Sequence, residues 1–330
     1  MSTRTIGPEE FTTSAIGFGC MGLSQGYGPA DDAESVAAIH AALDAGVTLI
    51  DTAMSYGEGA NERLVGEALR SSGRAREETQ LATKLGIMRT PSGVGLDADP
   101  ARIRGYCEAS LERLGVDRVD LYYLHRVDPR FPVEESIGAM GQLVADGLVG
   151  HIGVSEVTPE QLERAASVHP ITAVQMEWSL MWREPETGIV PTARRLGVGL
   201  VPYSPLGRGL LSATLDRDAV AQSPFRAGDP RFNDAALTAN ATQVEALAAL
   251  AAEWGLSAAQ LALAWLLAQG PDVVPIPGSR RDTRVTENAA AMAVTLSPEQ
   301  LARLDAAVPP AGWVGDRASF AVPVTARPAV

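Results

Sequence analysis

The chain has 330 residues, 46% hydrophobic and 20% charged, with 40 acidic residues against 27 basic ones and a net charge of −13. That balance is ordinary for a folded globular protein of a length that buries a core unaided, and the acidic excess repels phosphate backbones, so no nucleic-acid partner is expected. Cys20 and Cys107 are too few and too far apart for a disulfide framework, which points to a reducing, cytoplasmic compartment. The opening MSTRTIGPEEF lacks the basic stretch and apolar run of a signal peptide. The longest apolar helical stretch, AAQLALAWLLA, is shorter than the ~20 residues that span a bilayer, so no membrane partner is expected either.

Strand-like runs and helical periods alternate along the chain. SAIGFG is followed by AESVAAIHAALDAG, TLIDTA by NERLVGEALRSS, TQLATK by RIRGYCEASLERLG, and DLYYLH by EESIGAMGQLVADG. HIGVS, TAVQM, GLVPYS and DVVPIPG continue the strand series. Glycine stops such as DAGV, RLGV and ADGL end helices, and DPARI, TPEQL and SPEQL start them. Eight strands joined by helical crossovers pair in parallel. The predicted fold class is therefore α/β, a (β/α)8 TIM barrel forming a single domain over residues 1–330. A doubly wound dinucleotide fold is the competing architecture, but no G-x-G-x-x-G follows an early strand; GFGCMG has the wrong spacing and no helix directly behind it. Residues 210–239, rich in Asp, Pro, Gly and Ser, are predicted as a long loop after the seventh strand, on the face where barrels keep their active sites. The aperiodic end, 309–330, either covers the mouth or forms a loose tail; Trp313 and Phe320 favour partial docking.

Four polar residues sit just past the ends of three successive strands: Asp51 and Tyr56 in IDTAMSYG, Lys84 in ATKLG and His125 in YYLHR. Barrel topology brings them to one mouth. A buried carboxylate beside a buried ammonium satisfies both charges, and the Lys84 cation is expected to lower the Tyr56 phenol below its ordinary value near ~10. Such a phenol can protonate an oxygen that gains negative charge, and His125 adds a second hydrogen bond to that oxygen. These parts suit reduction of a carbonyl if a hydride donor is supplied. No metal is expected: His40, His125, His151 and His169 lack paired ligand spacing, and the cysteines form no C-x-x-C.

IDTAMSYG, ATKLG, YYLHR, HIGVSE, VQMEWSL, VPYSPLGRGLL and IPGSRRDTRVTENAAA together resemble the aldo-keto reductase superfamily, from GFGCMGLS near the start to LSPEQLARLDAA near the end. The resemblance implies a TIM barrel, NADPH bound without a dinucleotide fold, and a catalytic tetrad that falls on Asp51, Tyr56, Lys84 and His125, with Tyr56 as general acid. It implies nicotinamide stacking on Tyr203 and carboxamide contacts from Ser155 and Gln175; this chain has Glu156 where many members carry Asn. It extends the cofactor set to Gly19, Cys20, Met21 and Asp51, to Ser204, Pro205, Leu206, Gly207 and Gly209 of SPLGRGLL, and to Gly278, Ser279, Arg280, Arg284, Glu287 and Asn288. The cluster Ser279, Arg280, Arg281 and Arg284 suits a ribose 2′-phosphate, which favours NADPH over NADH, with Arg280 taking the charge that some members supply by Lys at Gly278. Glu287 and Asn288 are expected at the adenine.

Tyr27, Met54, Trp178 and Trp182 are the candidate substrate residues, with Trp313 and Phe320 outside them, and imply an apolar or aromatic carbonyl substrate. Two other readings remain: an NADPH-binding redox sensor or channel-associated subunit with slow turnover, and a Schiff-base enzyme using Lys84. The second wants a neutral lysine, whereas Asp51 keeps Lys84 charged. Oligomeric state is not legible.

Overall fold

The computed structural model describes residues 2–90 and 93–317. It opens with an antiparallel hairpin, β1 (Thr3–Ile6) and β2 (Phe11–Ser14), which the sequence pattern does not reveal. Ile6 and Phe11 insert among Leu49, Leu121, Tyr123, Ala173, Val201 and Val274, the side chains that fill the barrel interior. A β-carbon on Gly199, the first residue of its strand, would lie 2.6 Å from Ile6. The hairpin thus plugs the N-terminal end of the barrel, leaving chemistry to the other end.

The barrel strands are parallel. After β3 (Phe18–Gly19) come β4 (Leu49–Asp51) and β5 (Gln80–Leu85). A hairpin excursion, β6 (Ile87–Thr90) and β7 (Gly93–Leu96), precedes β8 (Val119–Leu124). Then follow β9 (Val149–Ser155), β10 (Ala173–Glu177) and β11 (Gly199–Tyr203), giving the order β11-β10-β9-β8-β5-β4-β3. The eighth strand expected at DVVPIPG closes the circle without forming a regular ladder. Val274 N–H and Ile276 N–H donate to Leu200 and Pro202 of β11, while the carbonyls of Pro275 and Pro277 accept from Gly17 and Gly19. Both prolines sit where an N–H would face β3, so bonds cross that seam in one direction only.

Helices α1 (Asp32–Asp44), α2 (Ala60–Ser71), α3 (Ile103–Leu114), α4 (Val133–Ala145), α5 (Pro159–Ala166) and α6 (Ile189–Arg195) return the chain between strands. The predicted long loop 210–239 is more regular than expected. It holds α7 (Arg217–Ala221) and α8 (Pro224–Ala227), and α9 (Asp234–Glu253) begins inside it. Asp216 and Ser223, of the kinds that suggested a loop, are caps, as is Asn233: each accepts a backbone N–H of the helix that follows. Helix α10 (Ala258–Ala268) is buried nearly all round, and α11 (Asp282–Ala290) and α12 (Pro298–Ala307) complete the shell. Among the described residues no single helix is long and apolar enough to cross a membrane.

Candidate active site

Strand register sets which side chains meet at the site. Asp51 pairs with Ala82 of β5, and Lys84 with Tyr123 of β8, so the ends of β4, β5 and β8 stand side by side. Lys84 is fully buried and spends all three ammonium protons: on the Asp51 carboxylate, on the Thr52 carbonyl at 2.7 Å and on the Tyr56 hydroxyl at 3.3 Å. Tyr56 reaches this point because a tight turn over Tyr56–Gly59 folds the chain back, with Gly57 at φ 55° and Glu58 at φ 56°. Asn61 anchors that turn by accepting from Thr52 Oγ1 at 2.6 Å and donating to the Cys20 carbonyl at 2.9 Å. The His125 ring meets the Tyr56 ring edge-on, with centroids 5.8 Å apart.

These contacts fix protonation. Burial works against the Lys84 cation, but Asp51 and the Tyr56 hydroxyl outweigh it and hold the ammonium above its ordinary value. Burial pushes the Asp51 carboxyl up, with Lys84 and Gln175 pulling it back. The Tyr56 phenol departs from expectation: burial raises it, and the downward pull of Lys84 is smaller. Tyr56 therefore stays a protonated donor in this environment. Burial, then the charges of Arg126 and Lys84, push the His125 imidazole well below its usual value, so it is neutral near pH 7.

A cavity of about 460 Å³ runs from Tyr56 and His125 past Ser155, Gln175 and Tyr203 to Ser279, Arg281, Arg284, Glu287 and Asn288. Gly19, Met21, Tyr27, Asp51, Ser204, Pro205, Leu206, Gly209, Gly278 and Arg280 line it as well. Ser204 and Arg208, at φ 47° and 55°, hold left-handed backbone beside it. Gln175 donates to Asp51 Oδ2 at 2.9 Å, and Ser155 Oγ accepts from Arg126 at 3.1 Å, so both side chains expected at the carboxamide are already held by neighbours.

Three loops meet over this cavity. Phe225 N–H and Ser223 Oγ donate to the Gly26 carbonyl at 3.2 and 2.8 Å, and the Arg226 guanidinium lies 4.8 Å from the Tyr27 ring centre. Arg280 donates to the carbonyls of Gly22 at 2.7 Å, Gly28 at 2.9 Å and Pro29. The expected anion-binding residue thus has its donors turned to the wall, leaving exposed Arg281 and half-buried Arg284 as the other cations of this end; Arg284 donates to Thr214 Oγ1 at 2.9 Å.

Several expected residues stand elsewhere. Trp178 and Trp182, expected at the pocket rim, are 1% exposed and do not line the cavity. Trp178 donates to Glu186 Oε1 at 3.0 Å and packs on Trp265, while Arg317 covers the Trp182 ring at 5.2 Å. A tight turn over Ser179–Trp182 folds both rings into the core. Met54, Cys20 and Gly207 are not among the residues that line the cavity. The described part of the C-terminal stretch docks rather than trailing. Trp313 is buried, Asn240 pairs with Val314 in both directions, and Arg317 reaches the mouth to grip Glu156 through Nη1 at 2.9 Å and Nη2 at 2.6 Å. Phe320 lies outside the described residues. Arg126, in the same YYLHR segment that supplied His125, lines the cavity and was not singled out from the sequence.

The comparisons agree over nearly the whole chain. The profile described as Aldo/keto reductase family matches residues 15–309. A probable aldo-keto reductase 1 of Glycine max is 43% identical over 314 residues, covering 94% of this chain and 90% of that relative. Among solved structures, a glycerol dehydrogenase of Gluconobacter oxydans superposes with a TM-score of 0.83 at 32% identity, covering 94% of this chain and 96% of that one. An aldo-keto reductase of Klebsiella pneumoniae, solved in complex with NADPH, superposes with a TM-score of 0.72 at 30% identity over the same shares, 94% and 96%. With this coverage and this site, the chain belongs to the aldo/keto reductase family.

Proposed function

We propose that the protein binds NADPH along the cavity and reduces an aldehyde or ketone to the alcohol. The observation that carries this reading is the three-way hydrogen bonding of Lys84, which ties Asp51, the Thr52 carbonyl and the Tyr56 hydroxyl into one buried unit. Bound there, the reduced nicotinamide supplies hydride. Tyr203, Ser155 and Gln175 would hold its ring and carboxamide, and Ser279, Arg281 and Arg284 its 2′-phosphate, with Glu287 and Asn288 at the adenine. The Tyr56 hydroxyl gives its proton to the carbonyl oxygen as charge develops there. Lys84 stabilises the phenolate left behind, and Asp51 keeps Lys84 charged. Neutral His125 offers a second hydrogen bond to the same oxygen.

A Schiff-base role does not fit Lys84, whose three protons are spent and whose charge Asp51 sustains. No observation favours the slow sensor reading. A cytoplasmic setting is proposed as well; Cys20 and Cys107 are both buried and unpaired. The test is NADPH oxidation across aldehydes, ketones, quinones and sugar-like carbonyls, with Tyr56→Phe as control. Turnover that vanishes in the variant supports the reading. Near-normal activity of the variant overturns the assignment of Tyr56.

A further inference from the structure

Arg126 follows His125 at the end of β8, is 7% exposed, and lines the cavity beside Tyr56 and His125. Its Nη1 donates to the His125 carbonyl at 2.6 Å and to Ser155 Oγ at 3.1 Å, both neutral acceptors. Nearby, Arg208 and Arg231 share Asp229, Arg231 also holds Glu177, and Arg317 holds Glu156, while Arg226 and Arg280 of the cavity wall spend their donors on backbone carbonyls. Among the described residues Arg126 has no carboxylate within ion-pair distance, and its Nε and Nη2 have no acceptor. Glu156 is the nearby acid, but both its oxygens are in the fork of Arg317. The proposed phosphate residues do not answer for Arg126, because they follow residues 272–277 next to β3, across the barrel from β8.

A buried guanidinium left without a counter-ion is costly, and a planar anion with two oxygens matches its free edge. We propose that Arg126 is the receptor for a carboxylate on the substrate, so that the protein reduces aldehydes or ketones that carry a carboxylate group. Arg126 grips the carboxylate while Tyr56 and His125 take the carbonyl oxygen. Neutral carbonyl compounds leave the cation unpaired and bind less well. This inference rests on the reductase reading above.

The test compares 2-, 3- and 4-carboxybenzaldehyde with their methyl esters, using full-length enzyme and NADPH. For the isomer that fits, wild type should favour the acid over its ester on the order of 10- to 100-fold in kcat/KM, mainly through KM. In Arg126→Gln that ratio should fall to about 1, whereas Arg126→Lys, which keeps the charge, should retain part of it. Quenching of protein fluorescence by NADPH verifies that each variant is folded. A wild-type ratio at or below 1 for all three isomers overturns the proposal, as does equal loss on acid and ester in Arg126→Gln. Calorimetric titration of 4-methylbenzoate into the enzyme with NADP+ needs no turnover. Binding at least tenfold weaker in Arg126→Gln supports the receptor role, and equal binding overturns it. If wild type reduces neither acids nor esters, the reductase reading fails, and the titration still decides the role of Arg126.

Discussion

Lys84 and Arg284 are cations of the same site, yet they are held in opposite ways. Lys84 has no exposed surface and its three protons are assigned, whereas Arg284 stands near solvent with one bond to Thr214. The reacting end of the cavity needs fixed protonation states, which burial and a closed hydrogen-bond set provide. The far end needs only positive charge with enough freedom to close on an anion, which half-buried Arg284 and exposed Arg281 provide. Removing a residue from the first region should therefore change rate or folding. Removing one from the second should change affinity.

The largest effect is expected from Tyr56→Phe. Loss of the proton donor should lower kcat roughly 10²- to 10⁴-fold, with NADPH affinity by fluorescence titration within about twofold of wild type; a large loss of affinity would merge the two regions. Lys84→Met should come next, because it strands the Asp51 carboxylate in the core. Urea unfolding should show a loss of about 3–5 kcal/mol. Asp51→Asn added to it should restore part of that stability and none of the activity. Arg284→Ala should weaken NADPH about tenfold and NADH hardly at all, as expected of a charge-assisted contact to the 2′-phosphate. Arg280→Ala should instead weaken both cofactors by the same factor, since its bonds go to the wall and not to the ligand. Equal wild-type affinities for NADPH and NADH would remove the 2′-phosphate from this account.

The smallest effect is in the pH profile. Burial lifts the Tyr56 phenol above its ordinary value, and burial pushes His125 well below its own. Reduction requires the Tyr56 proton, so activity is present below the raised value and is lost only as pH rises through it. His125 gains charge only as pH falls through its lowered value. Between about pH 7 and 9, kcat/KM should thus vary less than about twofold. A step inside that window would show that the reacting end is less closed than its hydrogen bonds suggest.

Much of this was readable from the chain because it depends on local pattern. Alternating strand and helix periods gave the barrel, and polar residues at successive strand ends gave Asp51, Lys84 and His125 their common mouth. What escaped depends on partners distant in sequence. TRTI and FTTS of the plugging hairpin are too short to show a period. Nothing near Glu156 announces Arg317, and nothing near Arg280 announces the carbonyls of Gly22, Gly28 and Pro29. Trp178 and Trp182 were misplaced because size and aromaticity suit a pocket rim and a core equally, and only the turn between them decides. The Tyr56 phenol was misjudged in direction because charge can be counted along a sequence, whereas depth of burial cannot.

The one-way bonding between β3 and residues 272–277 has a consequence for the dynamics of the barrel. Pro275 and Pro277 offer no amide, so among the described residues the wall relies at this junction on Gly17 and Gly19 as donors. Loops 20–30 and 276–284 spring from its two sides, and Arg280 bridges them just above. Amide hydrogen exchange should therefore begin at Gly17 and Gly19, well before the paired amides of β8 and β9. A cofactor gripped by both loops would slow that exchange by tying the wall shut along this one-way seam.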